Sequence, residues 1–155
     1  MLARTSLLAV LLPLIVSSTS LANKHTAKQN KKQPQLIVKA HGFRNTKGVV
    51  RITLFNQAKG FPKDRKKAFR LLILTLKKKT LTFAFEKLPY GEYAVALWHD
   101  ENNNNKMDRK WYGPPKEGLG VSRNAKSWFG PPPFKKAKIR FSKDKQSISI
   151  KMRYL

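Results

Sequence analysis

The chain of 155 residues has no cysteine. No disulfide can form, so an exported fold must be held by packing, or by packing plus a metal. No cysteine follows the apolar run near the N-terminus either, which excludes the acyl anchor of a bacterial lipoprotein. Acidic residues are scarce: 8 stand against 33 lysines and arginines, for a formal net charge of +25 at pH 7. Internal repeats are absent. So are an HExxH helix, a nucleophile elbow, a glycine-rich phosphate loop and any sequence pairing of nucleophile with base. These absences lead us to expect a non-enzymatic protein.

The first 22 residues differ from the rest. They hold one basic residue, Arg4, then an apolar run from Leu7 to Val16, then a polar stretch ending Ser20-Leu21-Ala22. The run is shorter than the roughly 20 residues that span a bilayer, and the ending is a small-x-Ala cleavage signal. Residues 1–22 are therefore expected to be a signal peptide, leaving a periplasmic or secreted protein with no transmembrane segment. The remaining 133 residues (155 − 22) carry 32 − 8 = +24 charges, because Arg4 is the only charge removed. A field of that sign attracts anionic polysaccharide or lipid headgroups. Net charge alone points to no specific nucleic acid, and a solvated lysine coat is the plainer reading. Residues 23–35, rich in Lys, Gln and Asn, read as a disordered basic linker.

From there the chain alternates. "LIVKA" (36–40), "GVVRITLF" (48–55), "TLTFAFE" (80–86), "EYAVALWH" (92–99), "AKIRFS" (137–142) and "SISIKMRY" (147–154) read as strands of period two. The mixed pattern of 92–99 suits a central strand covered on both faces. Residues 64–79 fit either a helix or a short helical turn followed by a strand from about Phe69 to Lys77; branched and aromatic content favours the strand. The expected fold is all-β: a single antiparallel β-sandwich of about seven strands, Ig-like or transthyretin-like, spanning 36–155 as a monomer. A long irregular region after the central strand, from Asp100 to Phe134, is the functional candidate.

That region opens with "HDENNNNKMD". Asp100, Asn102, Asn104 and Asp108 fall at positions 1, 3, 5 and 9 of a calcium-loop pattern, with the Lys106 carbonyl at position 7. Asn105 replaces the usual Gly at position 6, and Asn tolerates the left-handed conformation. Trp111 replaces the bidentate Glu at position 12, so a further carboxylate must come from elsewhere, with Glu117 or Glu101 as candidates. Two readings stand side by side: a weak Ca²⁺ site, or a polar loop whose Asn side chains bond their own backbone. His99 precedes the loop as a structural histidine at a strand end, or as a ligand contact. Trp98, Trp111, Tyr112, Trp128 and Phe129 lie in or beside the loops, where they either stack on a ligand or plug the end of the sheets.

The run "LPYGEYAVALWHDENNNNKMDRKWYGPPKEGLGVSRNAKSWFGPPPFKKAKIRF", closing on "ISIKMRY", resembles the bacterial family of uncharacterised exported proteins called DUF2141. The shared pattern reads here as Gly91, Tyr93-Ala94, His99-Asp100-Glu101-Asn102, Asn104, Lys106, Asp108, Gly113, Pro115, Glu117-Gly118, Gly120, Ser122, Asn124-Ala125, Phe129-Gly130-Pro131-Pro132, Phe134 and Tyr154. The resemblance implies an exported, single-domain β-sandwich and supplies no function. Two departures are Asn105, where members usually carry Gly, and the strong basicity.

Overall fold

The computed structural model describes residues 33–155. The expected signal peptide (1–22) lies outside the described residues, as do residues 23–32 of the expected linker, whose last residue Gln35 opens the first strand.

Among the described residues eight strands form: β1 Gln35–His41, β2 Val49–Phe55, β3 Arg70–Thr75, β4 Thr80–Glu86, β5 Gly91–Asp100, β6 Gly118–Val121, β7 Ile139–Phe141 and β8 Lys145–Lys151. They make two open sheets. One is three-stranded in the order β4-β1-β8; the other runs β3-β2-β5-β6, with β7 beside the start of β5. All-β is therefore correct, but the pairing is not wholly antiparallel: β1 and β8 run parallel, Val38 opposite Ile148.

The alternation read from the sequence sorts the faces. Leu36, Val38, Phe83, Phe85 and Ile150 from one sheet join Val50, Ile52, Leu54, Val95 and Leu97 from the other in one hydrophobic cluster. Residues between them in the three-stranded sheet, such as Lys39, Thr82 and Ser149, face water. Strand β5 is central and buried through most of its length. Residues 64–79 follow the turn-then-strand reading. Asp64 accepts from the Lys66 amide at 3.2 Å and starts a single 3-10 turn over Arg65–Lys67; β3 follows.

The eighth strand, β6, interrupts the stretch expected to be irregular. Two of its four residues are glycine, which disguises a strand in sequence. The reason is spatial. A Cβ on Gly118 would lie 2.5 Å from the Tyr154 ring, and one on Gly120 would lie 2.8 Å from Met152 Sδ and 2.9 Å from Ile150 Cγ2. Bare backbone lets β6 lie directly against side chains from the other sheet. Leu119 and Arg153 then exchange two 2.8 Å backbone hydrogen bonds, tying the sheets at this edge. Where β5 passes from β6 to β7, the Val95 amide is satisfied by the buried Ser122 hydroxyl at 3.0 Å, which itself donates to the Ala137 carbonyl at 2.6 Å. Ala137, expected in a strand, closes a one-turn helix, α1, over Phe134–Ala137.

Candidate functional site: a clasped polar loop and its aromatic tip

The asparagine loop leaves the end of β5. Asp100 is the last residue of that strand and is fully buried, 0 % exposed. Arg51 of β2, two residues on from the Val49 that pairs with Asp100, donates its Nε to Asp100 Oδ2 at 2.7 Å. The same carboxylate accepts the Asn104 amide on Oδ1 at 3.1 Å and the Asn105 amide on Oδ2 at 3.0 Å. Arg51 Nη2 also donates to Asn103 Oδ1 at 3.1 Å. Asn103 and Asn105 take the left-handed conformation, with φ of 55° and 62°, which Asn accepts more readily than other side chains. Gly48 permits the crossing beside the loop: a Cβ there would fall 2.0 Å from the Asp100 carbonyl oxygen.

The remaining oxygens are equally engaged. Asn102 Oδ1 accepts the Asn104 amide at 3.2 Å, and Asn104 Oδ1 accepts the Lys106 amide at 2.8 Å. Asp108 accepts from Asn102 Nδ2 at 2.7 Å and from Asn104 Nδ2 at 3.2 and 3.3 Å. Glu117, 3 % exposed, closes the base: it accepts Trp98 Nε1 at 2.8 Å, the Glu101 amide at 3.1 Å and the Asp108 amide at 3.2 Å. Asp100, Asn102, Asn104, Asp108 and Glu117 are thus brought together, yet every one of their side-chain oxygens already has a donor. The positive charge facing Asp100 is a guanidinium. A Ca²⁺ held by these oxygens would compete with the Arg51 guanidinium beside Asp100 and with the Asn amide groups on Asp108. Among the described residues, no three His, Cys, Asp or Glu side chains are grouped to hold a metal. Lys106 takes part through its backbone amide.

Glu101 faces the other way. It accepts Arg44 Nε at 3.1 Å and Asn45 Nδ2 at 2.6 Å, with Arg44 Nη2 2.6 Å from its Oε1 in a salt bridge. That last contact lacks hydrogen-bond geometry, so the attraction there is ionic. Burial pushes the Glu101 carboxyl up, but the hydrogen bonds from Arg44 and Asn45 outweigh it and hold the group below the usual carboxylate range.

His99 is fully buried, and both its nitrogens are engaged. Nε2 lies 2.8 Å from the Lys47 carbonyl, which can only accept, so Nε2 carries the proton. Nδ1 then accepts the Tyr154 hydroxyl at 2.7 Å, and the Arg44 amide donates to that hydroxyl at 3.3 Å. Burial raises the Tyr154 phenol above its ordinary value. Phe43 packs edge-on to the imidazole at 5.3 Å. This histidine ties Tyr154 to the end of β5.

The expected aromatic contacts separate. Trp98 lies partly buried in β5, its ring flanked by the guanidiniums of Arg51 at 5.6 Å and Arg65 at 5.2 Å. Trp111 and Tyr112 form the tip of a small hairpin. Arg109 bridges Pro115, the Lys110 amide donates to the Pro114 carbonyl, and the Gly113 amide donates to the Lys110 carbonyl, both at 2.9 Å. Trp111 is 96 % exposed. Trp128 and Phe129, 98 % and 94 % exposed, lie on a second loop beyond β6 and a 3-10 turn at Ser122–Asn124. These four side chains do not plug the sheets. Arg44, Arg51 and Arg65 carry no signal in sequence, because nothing among 33 basic residues marks the three arginines that face the loop, whereas Tyr154 entered through the family pattern alone.

The molecule is therefore a β-rich domain of two sheets with a loop clasped by buried carboxylates at the end of its central strand. A model of the protein family described as "Uncharacterized protein conserved in bacteria (DUF2141)" matches residues 38–149, and the chain belongs to that family. No curated protein and no solved structure matches it.

Proposed function

We propose that this protein is an exported, non-enzymatic binding module, acting in the periplasm or outside the cell as a monomer. Its two sheets form a sandwich of the Ig-like or transthyretin-like kind, and the loops between His99 and Phe134 receive the ligand. One observation carries the reading: a buried three-donor anchor, Glu117, fixes the base of a hairpin whose tip holds Trp111 in open water. An aromatic tip on a rigid base binds with little loss of conformational freedom. In this reading the Arg51–Asp100 pair orders the loop in the role a Ca²⁺ would otherwise take.

The lysine coat supports a second reading, non-specific attraction to anionic envelope polymers through the large excess of Lys and Arg over Asp and Glu. Co-sedimentation with purified cell envelopes separates the two. Platform binding falls in Trp111→Ala/Tyr112→Ala at constant salt. Coat binding ignores that change and collapses between about 50 and 200 mM salt. Retention unaffected by the double substitution would sink the platform reading.

A further inference from the structure

The hairpin 109–115 has chemistry that narrows its ligand. Its sequence, RKWYGPP, contains cations and aromatics and no carboxylate. Lys106, Arg109 and Lys116 around it are exposed, and Lys110 Nζ stands 5.5 Å from the centre of the Tyr112 ring. The nearest acids are spent: Asp108 is held by Asn amides, and Glu117 is buried. Trp111 and Tyr112 meet edge to face, centroids 5.3 Å apart at 78°, so they offer no shared flat platform for a sugar ring. Two open depressions of the surface lie away from them, at Tyr90–Glu92 with Arg140–Ser142, and around Arg123 and Lys136. The tip is convex, with nothing within 4 Å of where a Gly113 side chain would project.

Resting on the platform reading, we infer that this hairpin docks on an anionic phospholipid surface, with Trp111 and Tyr112 entering the interfacial layer while Arg109, Lys110 and Lys116 meet the phosphates. Trp and Tyr settle at the level of the headgroups because each has an apolar body and a polar edge. Basic residues near an anionic leaflet add attraction that fades within a Debye length. The hairpin's own bonds matter as well. The Lys110 and Gly113 amides are already paired, and Arg109 Nη1 donates to the Gly113 carbonyl at 2.8 Å, so less bare backbone enters the layer. Trp128 and Phe129, near Lys126, repeat the chemistry on a separate loop and are kept out of the test.

The three tryptophans make the test direct. The exported protein, in the form recovered from the cells that make it, is prepared as Trp128→Phe, leaving Trp98 inside the fold and Trp111 at the tip. Vesicles of phosphatidylglycerol and phosphatidylcholine are expected to shift its emission to the blue. Brominated lipid should quench it, and pure phosphatidylcholine should do neither. Adding Trp111→Ala/Tyr112→Ala should lower vesicle partitioning by roughly tenfold or more, given the apolar area of two aromatic side chains, with an unchanged melting temperature.

If partitioning survives the double substitution and only salt removes it, the lysine coat binds lipid and the inference is overturned. Absence of partitioning to anionic vesicles overturns it too. In that case, Trp111-dependent binding to a soluble anionic polysaccharide would leave the platform reading standing. Indifference of every ligand to Trp111 and Tyr112 would remove both.

Discussion

Asp100→Asn tests the clasp most directly. The exchange keeps the volume and one acceptor oxygen for a backbone amide, but it turns an amide nitrogen or a neutral oxygen toward Arg51. That arginine is buried, its side chain 9 % exposed, against an aspartate at 0 %. Removing one partner of such a pair leaves an uncompensated charge and costs about 3–5 kcal/mol. The retained acceptor argues for the lower end, about 3 kcal/mol, which for a domain of this size lowers the melting temperature by roughly 10–15 °C. Thermal and urea melts of Asp100→Asn, Arg51→Met and the double variant form a cycle. The double variant should recover much of the loss, because replacing a whole buried pair is far less costly than halving it. Calcium adds a second arm. With Arg51 present, millimolar Ca²⁺ should leave the midpoint where EDTA leaves it. In Arg51→Met, the freed Asp100 and Asn oxygens should gain affinity for the ion. Single variants within about 0.5 kcal/mol of the parent, or strict additivity, would refute the clasp. So would a parent protein stabilised by calcium to the extent of about 2.7 kcal/mol, the effect of a ligand at a hundred times its dissociation constant.

Glu117→Gln should cost about 2–3 kcal/mol, since a charged acceptor of three N–H groups becomes neutral; hydrogen exchange should quicken at the Glu101 and Asp108 amides, and unchanged protection there would count against the anchor. Gly120→Ala should destabilise by about 1–3 kcal/mol, because its Cβ would meet Ile150 and Met152 below 3 Å; a neutral result in urea would mean that β6 sits farther from β8 than described. Tyr154→Phe should cost about 1–3 kcal/mol, leaving His99 Nδ1 buried without a donor, and its effect should vanish in a His99→Phe background. For Glu101 the folded carboxyl titrates below its unfolded value of about 4.3. Its contribution is therefore complete above that value and is lost as pH falls through the lower, folded one. Stability should decline below about pH 4.3, and Arg44→Met should flatten that decline; an identical acid limb in both proteins would place the sensitivity elsewhere.

The strands were legible because burial on one face writes itself as period two, and Val50, Ile52 and Leu54 or Leu81, Phe83 and Phe85 are unambiguous in that respect. The parallel partnership of β1 and β8 was not, since pairing direction depends on chain ends that alternation does not describe. Strand β6 was hidden for a chemical reason: Gly118 and Gly120 are buried where Leu or Val would be expected, and the volume is filled by Ile150 of β8 and by Met152 and Tyr154 just beyond it. The candidate site was half legible. Spacing located Asp100, Asn102, Asn104 and Asp108, and even the left-handed Asn105. It could not show that Arg51, half the domain away in sequence, stands beside Trp98 and Asp100 through the pairing of β2 with β5. A calcium loop and a guanidinium-closed loop ask the same thing of their local sequence: oxygens at alternate positions that curl around a positive charge. They differ only in whether that charge arrives from solution or from a neighbouring strand. Period and spacing are local, and Arg51, which faces Asp100 from the neighbouring strand, is not.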